Sequence, residues 1–209
     1  FRNGPAGSRL GKGGGSDPSE YPFLVIDDLK PNIGPYGDPI ARTPAFDRIA
    51  ASGVTFMNNY CQFPLSGPTR ASVLTGLRPD HTGVWTLDGI FRRNNPEIVS
   101  LPQLFAAHGY ETVGIGKVYH PLSDETYNND PVSWTKPYIK PQAPVYMLPE
   151  GKPVTECVDV PDNAYFDGRV ADEAVAWIDS LSRSDKPFFL AVGFIRPHLP
   201  FVAPEKYWD

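Results

Sequence analysis

Three short, continuous apolar runs constrain this chain more than any other feature. Pro22-Phe23-Leu24-Val25-Ile26 empties into Asp27-Asp28-Leu29. Tyr110-Glu111-Thr112-Val113 leads into Gly114-Ile115-Gly116-Lys117-Val118-Tyr119-His120. Pro187 to Phe194 leads into Ile195-Arg196-Pro197-His198-Leu199-Pro200-Phe201. A strand wetted on one face alternates polar and apolar residues, so unbroken runs point to strands buried on both faces of a parallel sheet. Helical signals lie between them. Pro44 opens a helix near 44–52, with Thr43 placed to cap it and Gly53 to stop it. Another follows at 68–76, and a third runs from Ser100-Leu101-Pro102 to Gly109. Near 167–183, Val170, Ala174, Trp177, Ile178 and Leu181 share one helical face. Residues 54–60 read as a further strand. The pattern predicts an α/β fold, a mostly parallel sheet flanked by helices on both faces, with no internal repeat.

In open α/β sheets, ligands gather beyond the carboxyl ends of the strands. The polar residues that follow each run are therefore candidates. Asp27 and Asp28 would repel each other in a dry place unless a cation lies between them, and their oxygens suit calcium or magnesium; the alternative is a solvated turn. Lys117 offers a point charge to an oxyanion and His120 can move a proton near neutral pH, although both also fit an ordinary surface. His198, bracketed by prolines that limit its loop, is a candidate general acid. A fourth segment, Ser66-Gly67-Pro68-Thr69-Arg70 running into Ala71-Ser72-Val73-Leu74-Thr75-Gly76, places Ser66 at a helix N-terminus, where the dipole favours an anion. Arg70 lies about one turn on. A small polar side chain, a positive helix end and an arginine fork suit a sulfate or phosphate ester.

The four segments, in this order, resemble the type I sulfatases of the alkaline phosphatase superfamily, and most nearly iduronate-2-sulfatases. The likeness covers roughly residues 21–209 and rests on residues 25–31, Tyr36-Gly37-Asp38, Ser-x-Pro-x-Arg with residues 74–80, residues 116–121, and residues 188–201. The resemblance implies a sulfuric ester hydrolase acting on a sulfated sugar, with the 2-O-sulfated iduronate or uronate of a glycosaminoglycan as the closest match. It implies that Ser66 stands where the family oxidises a Cys or Ser to formylglycine, whose hydrated aldehyde attacks sulfur. By the same match, Asp27 and Asp28 are calcium ligands together with the modified Ser66, and Arg70 holds that side chain. Lys117 and His198 contact the sulfate ester, His198 protonates the leaving alcohol, and His120 serves the elimination that regenerates the aldehyde.

Two departures accompany the resemblance. Serine rather than the commoner cysteine occupies position 66, and Cys61 cannot substitute, because Phe63 stands where proline is needed. The family is also much longer and supplies two more calcium ligands and another lysine from a later segment. The expectation is that a second chain or a missing C-terminal portion completes the metal site. A superfamily phosphatase or phosphodiesterase using Ser66 directly, generally with zinc pairs, is disfavoured by a total of four histidines. An inactive sulfated-glycan binder with unmodified Ser66 stays open.

The net charge of -5 and the lack of a basic stripe exclude nucleic acid as a partner. A polyanionic sugar would then be attracted locally, by residues such as Arg70, Lys117, Arg92, Arg93 and Arg196. Residues 1–20 read as a flexible Gly-rich tail and 21–209 as the N-terminal part of one catalytic domain. Prolines crowd an irregular segment at 131–161, where Trp134, Tyr138 and Tyr146 can stack on a sugar or anchor the loop. Cys61 and Cys157 are too few for a disulfide scaffold. No run is long enough to span a membrane. The absence of an Asn-x-Ser/Thr acceptor favours a periplasmic or secreted protein, or a lysosomal one if eukaryotic.

Overall fold

The computed structural model describes residues 20–121, 129–148 and 151–208. Almost all of the glycine-rich tail predicted at 1–20 thus lies outside the described residues.

The three apolar runs form β1 (Tyr21–Ile26), β2 (Glu111–Gly116) and β4 (Phe188–Phe194), after β3 (Thr155–Val158) in chain order. They make one parallel sheet in the order β1-β4-β2. Central β4 is buried along nearly its whole length, as expected for a strand covered above and below. Its alternate residues divide the core. Phe189 and Ala191 face a cluster with Ala71, Leu74, Phe91, Val118 and Trp134. Phe188, Leu190 and Val192 face Val113, Ile115, Val170, Ala174 and Leu181.

The first cluster is covered by α2 (Ser66–Thr75) and α5 (Leu101–Ala107), the second by α6 (Phe166–Leu181). Helix α1 (Pro44–Ser52) and the single-turn helices α3 (Pro79–Thr82) and α4 (Phe91–Asn94) complete the set. Ser100 and Gln103 close a capping box at the start of α5, satisfying two otherwise orphaned N–H groups. On α6, Val170, Ala174 and Leu181 are buried, whereas Ile178 lies at the edge of the stripe, 44% exposed.

Several expectations fail locally. Residues 54–60 form no strand; Val54, Phe56, Met57 and Tyr60 are all exposed, and no strand among the described residues pairs with them. Thr43 precedes α1 but does not cap it, because its hydroxyl accepts the Gly34 N–H instead, at 2.9 Å. The proline-rich stretch contains β3, which pairs in parallel with β5 (Phe201–Pro204) in a separate two-stranded sheet. Sequence reading missed both short strands, since prolines flank them and neither carries a periodic apolar pattern.

Candidate functional site

Ser66 is the first residue of α2, immediately after an extended Leu65. Gly67 lets that first turn lie against the chain at residues 86–87; a Cβ there would come within 2.6 Å of the Thr86 carbonyl oxygen. The turn is thereby pressed toward the tip of β1. The Ser66 hydroxyl donates to Asp27 Oδ1 at 3.0 Å across 39 residues of sequence.

Asp27 is the hub. It is 5% exposed, and three side chains converge on it. Arg70 Nη2 lies 3.0 Å from Oδ1, and the Lys117 ammonium donates to Oδ2. Burial by itself would raise the Asp27 carboxyl, but the Lys117 hydrogen bond and the Arg70 charge outweigh it and hold the group below its ordinary value. Two cations thus meet on one carboxylate, and the neighbouring Asp28, which lines the same cavity, brings the local sum of charges to zero.

The β2 tip is built just as tightly. Arg70 Nη1 donates to the Lys117 and Val118 carbonyls, the latter at 2.9 Å. The Tyr138 hydroxyl donates to the Gly116 carbonyl at 2.7 Å and accepts the Val118 N–H at 3.1 Å. Gly193 permits the close approach of β4; a Cβ there would meet the Lys117 carbonyl carbon at 2.0 Å. Tyr119 reaches Ser133 at 3.1 Å, and Ser133 donates to Asp130. Arg92 grips both oxygens of Asp130 and donates to the Ile98 carbonyl. Arg92 is therefore spent on this network rather than offered to a polyanion. Trp134 and Tyr138 likewise pack under the tip as anchors, with Trp134 Nε1 donating to the Asn129 carbonyl; neither presents a free face to a sugar.

His120 follows that tip, half-buried, and its Nδ1 has no hydrogen-bond partner among the described residues. Burial, then the charges of Lys117 and Arg70, push its pKa below the ordinary value, so the imidazole is neutral at pH 7. Asp28 and His198 occupy the opposite, wetter side. Asp28 is exposed and holds a left-handed φ of 55°. His198 Nε2 lies 3.9 Å from Asp28 Oδ2. His198 Nδ1 lies 2.8 Å from the Leu199 carbonyl oxygen, so Nδ1 carries the proton and Nε2 is the atom left to exchange one.

A cavity of about 420 Å³ opens over Asp27, Asp28, Ser66 and Arg70, with Leu29 and Cys61 also in its wall. Lys117 and His198 do not line it, and His120 lines a separate cavity beside Gly67, Arg70 and Asp130. Asp27, Ser66, Arg70 and Lys117 thus stand in direct contact, and Asp28 faces His198 beside them. Among the described residues, no cluster of three or more His, Cys, Asp and Glu stands at metal-binding spacing. Asp27 and Asp28 are a pair. Cys61 is a free, exposed thiol, and Cys157 is exposed as well. Sequence reading missed Asp167, whose carboxylate binds the backbone before His198. An acid in the first turn of a helix is unremarkable in sequence and gives no sign of reaching 28 residues ahead.

Residues 21–209 match the Sulfatase family. The chain belongs to the sulfatase family. It is 34% identical over 199 residues to mouse iduronate 2-sulfatase, covering 88% of this chain and 36% of that protein. Among solved structures, a sulfatase-like protein from Bacteroides thetaiotaomicron superimposes with a TM-score of 0.63 at 26% identity, covering 87% of this chain and 36% of the other. A 2-O GAG sulfatase superimposes with a TM-score of 0.61 at 26% identity, covering 86% and 35%. This sulfatase chain therefore spans about a third of the length of the relatives it matches. Within that span lie all three parallel strand tips. No helix among the described residues is long and apolar enough to cross a membrane.

Proposed function

We propose that residues 21–209 carry the nucleophile-bearing, N-terminal part of a sulfuric ester hydrolase that removes sulfate from a sulfated sugar. The observation that carries this reading is the contact of Ser66 with Asp27 at the head of α2, with Arg70 and Lys117 closing on the same carboxylate. Likeness to an iduronate 2-sulfatase and to a 2-O GAG sulfatase supports the 2-O-sulfated uronate of a glycosaminoglycan as substrate.

The roles follow from position. Ser66, matured to formylglycine, would present its hydrated aldehyde at the helix head, where the dipole stabilises an attacking oxygen. Lys117 and Arg70 supply fixed positive charge where the sulfuryl group gathers negative charge, an arrangement that needs no reorganisation during reaction. His120, neutral and with no Nδ1 partner among the described residues, suits removal of a proton from the second hydroxyl. His198, with Nδ1–H held by the Leu199 carbonyl and Nε2 beside Asp28, suits donation of the Nε2 proton of its doubly protonated form to the leaving alcohol.

The donor set of Asp27, Asp28 and Ser66 is made entirely of hard oxygens on adjoining strand and helix ends, which fits calcium in kind. When bound there, calcium supplies positive charge beside the ester oxygens. It takes about six to eight oxygens. Protein beyond these 209 residues, either a second chain or further C-terminal sequence, would add the remaining ligands. A periplasmic, secreted or lysosomal setting fits a glycosaminoglycan substrate.

Mass analysis of the peptide spanning Ser66, combined with sulfate release from a 2-O-sulfated uronate disaccharide with and without calcium chelator, tests the reading. Loss of two hydrogens at residue 66 and chelator-sensitive desulfation are expected. Intact serine with no sulfate release leaves a glycan binder. Phosphate-ester hydrolysis with intact serine indicates direct attack by Ser66.

A further inference from the structure

We infer that Asp167 is the positioning residue for His198, acting through a carboxylate clamp on the turn that carries the imidazole. This rests on the role proposed above for His198. Asp167 stands in the first turn of α6, on the sheet face opposite α2. It is too far along the chain from the strand tips to belong to any motif read from the sequence. Its two oxygens accept the Ile195 N–H at 2.8 Å and the Arg196 N–H at 2.7 Å, the first two amides beyond β4. The His198 N–H then closes a turn onto the Ile195 carbonyl at 2.9 Å. The Arg196 guanidinium, half-buried, returns to donate to the His198 carbonyl at 2.7 Å. The segment from 195 to 198 is thereby held at both ends. Asp167 fixes the amides at its entry and Arg196 the carbonyl at its exit.

This bonding is unusually directed for a merely structural acid. Burial pushes the Asp167 carboxyl up, against the opposing pull of the two N–H groups and the Arg196 charge. An apolar residue would avoid that desolvation, but would leave the two amides without their acceptor. The carboxylate alone offers an acceptor oxygen to each amide at once. Asparagine has the same shape but one acceptor. Its amide nitrogen would face a backbone N–H, so Asp167→Asn releases one end of the turn while leaving the α6 core intact. Displacement of a reacting group by about 1 Å costs on the order of 10²-fold in rate, and among the described residues the imidazole itself is held only by its contact to the Leu199 carbonyl and, at 3.9 Å, by Asp28.

The test compares Asp167→Asn, His198→Ala and the double variant in the whole protein, using sugar sulfates (poor leaving groups) and activated aryl sulfates. Crystal structures of the wild type and of Asp167→Asn accompany the kinetics. The expected result is a loss in kcat on the order of 10²-fold for sugar sulfates, with a much smaller loss for aryl sulfates and little change in KM. That loss should vanish in the His198→Ala background, and the 195–199 turn should move while β4 and α6 stay in place. Equal losses on both substrates, or losses that simply add in the double variant, would overturn the inference, as would an unmoved turn. Failure of the underlying reading shows differently: His198→Ala itself would then respond identically to both leaving groups. In that case the displacement or fixity of the turn still decides whether Asp167 holds it.

Discussion

Two pairs of identical residues sit on opposite sides of this site and experience opposite environments. Asp27, at the tip of β1, and His120, beyond β2, belong to the closed side, packed by Arg70, Lys117 and the Tyr119–Ser133–Asp130–Arg92 network. Asp28 and His198 belong to the open side; Asp28 is exposed, and the only carboxylate paired with His198 among the described residues is Asp28 itself, at 3.9 Å. Residue type therefore says little about role. The closed side fixes charge in advance, whereas the open side leaves oxygen and nitrogen atoms available to a ligand.

The largest effect should come from breaking the closed side at its centre. Asp27→Asn leaves Arg70 and Lys117 buried without their counter-charge. Loss of one partner of a buried ion pair typically costs about 3–5 kcal/mol, so chemical denaturation should show a large fall in midpoint along with lost activity. If stability were unchanged, Asp27 would not be the hub. Gly193→Ala comes next. Its Cβ would overlap the Lys117 backbone, so the β2 tip must shift, and a cost of about 1–3 kcal/mol is expected from overpacking. Retained thermal stability together with full activity would refute so tight an approach.

The histidines sharpen the contrast by pH. The folded pKa of His120 lies below 6.5. The unfolded chain therefore binds a proton more readily, and stability falls as pH drops from about 6.5 through the lower folded value. His120→Asn should flatten that part of the stability profile; an unaltered slope would mean His120 is not kept dry. The smallest effect is expected from Asp28→Gly. Glycine accepts the left-handed backbone without strain, and the carboxylate is exposed. Stability should change by less than about 1 kcal/mol, whereas the calcium binding proposed for this pair should weaken when measured by titration. A stability loss as large as that of Asp27→Asn would erase the distinction between the two sides.

The three parallel strands were legible because buried strands must be apolar throughout, and the residues beyond each tip followed from the same logic. Ser66 and Arg70 were legible from helix chemistry, since a helix head and one turn of spacing bring them to a common point. What was hidden depends on partners distant in sequence. Nothing around Arg92 announces Asp130, and nothing around Asp167 announces Ile195. Trp134 and Tyr138 were equally ambiguous, because aromatic residues in a proline-rich stretch look alike whether they cover a ligand or the underside of a strand. Residues 54–60 misled through their apolar content. They are exposed here, and β-propensity gives only a preference that pairing must realise.

The free thiol of Cys61 lies on the wall of the cavity next to Ser66. Alkylating reagents would therefore plug the mouth of this pocket whatever the chemical state of residue 66. A fluorophore attached there would report ligand entry optically, without introducing any new attachment point, so that binding at this pocket can be followed separately from any chemical step.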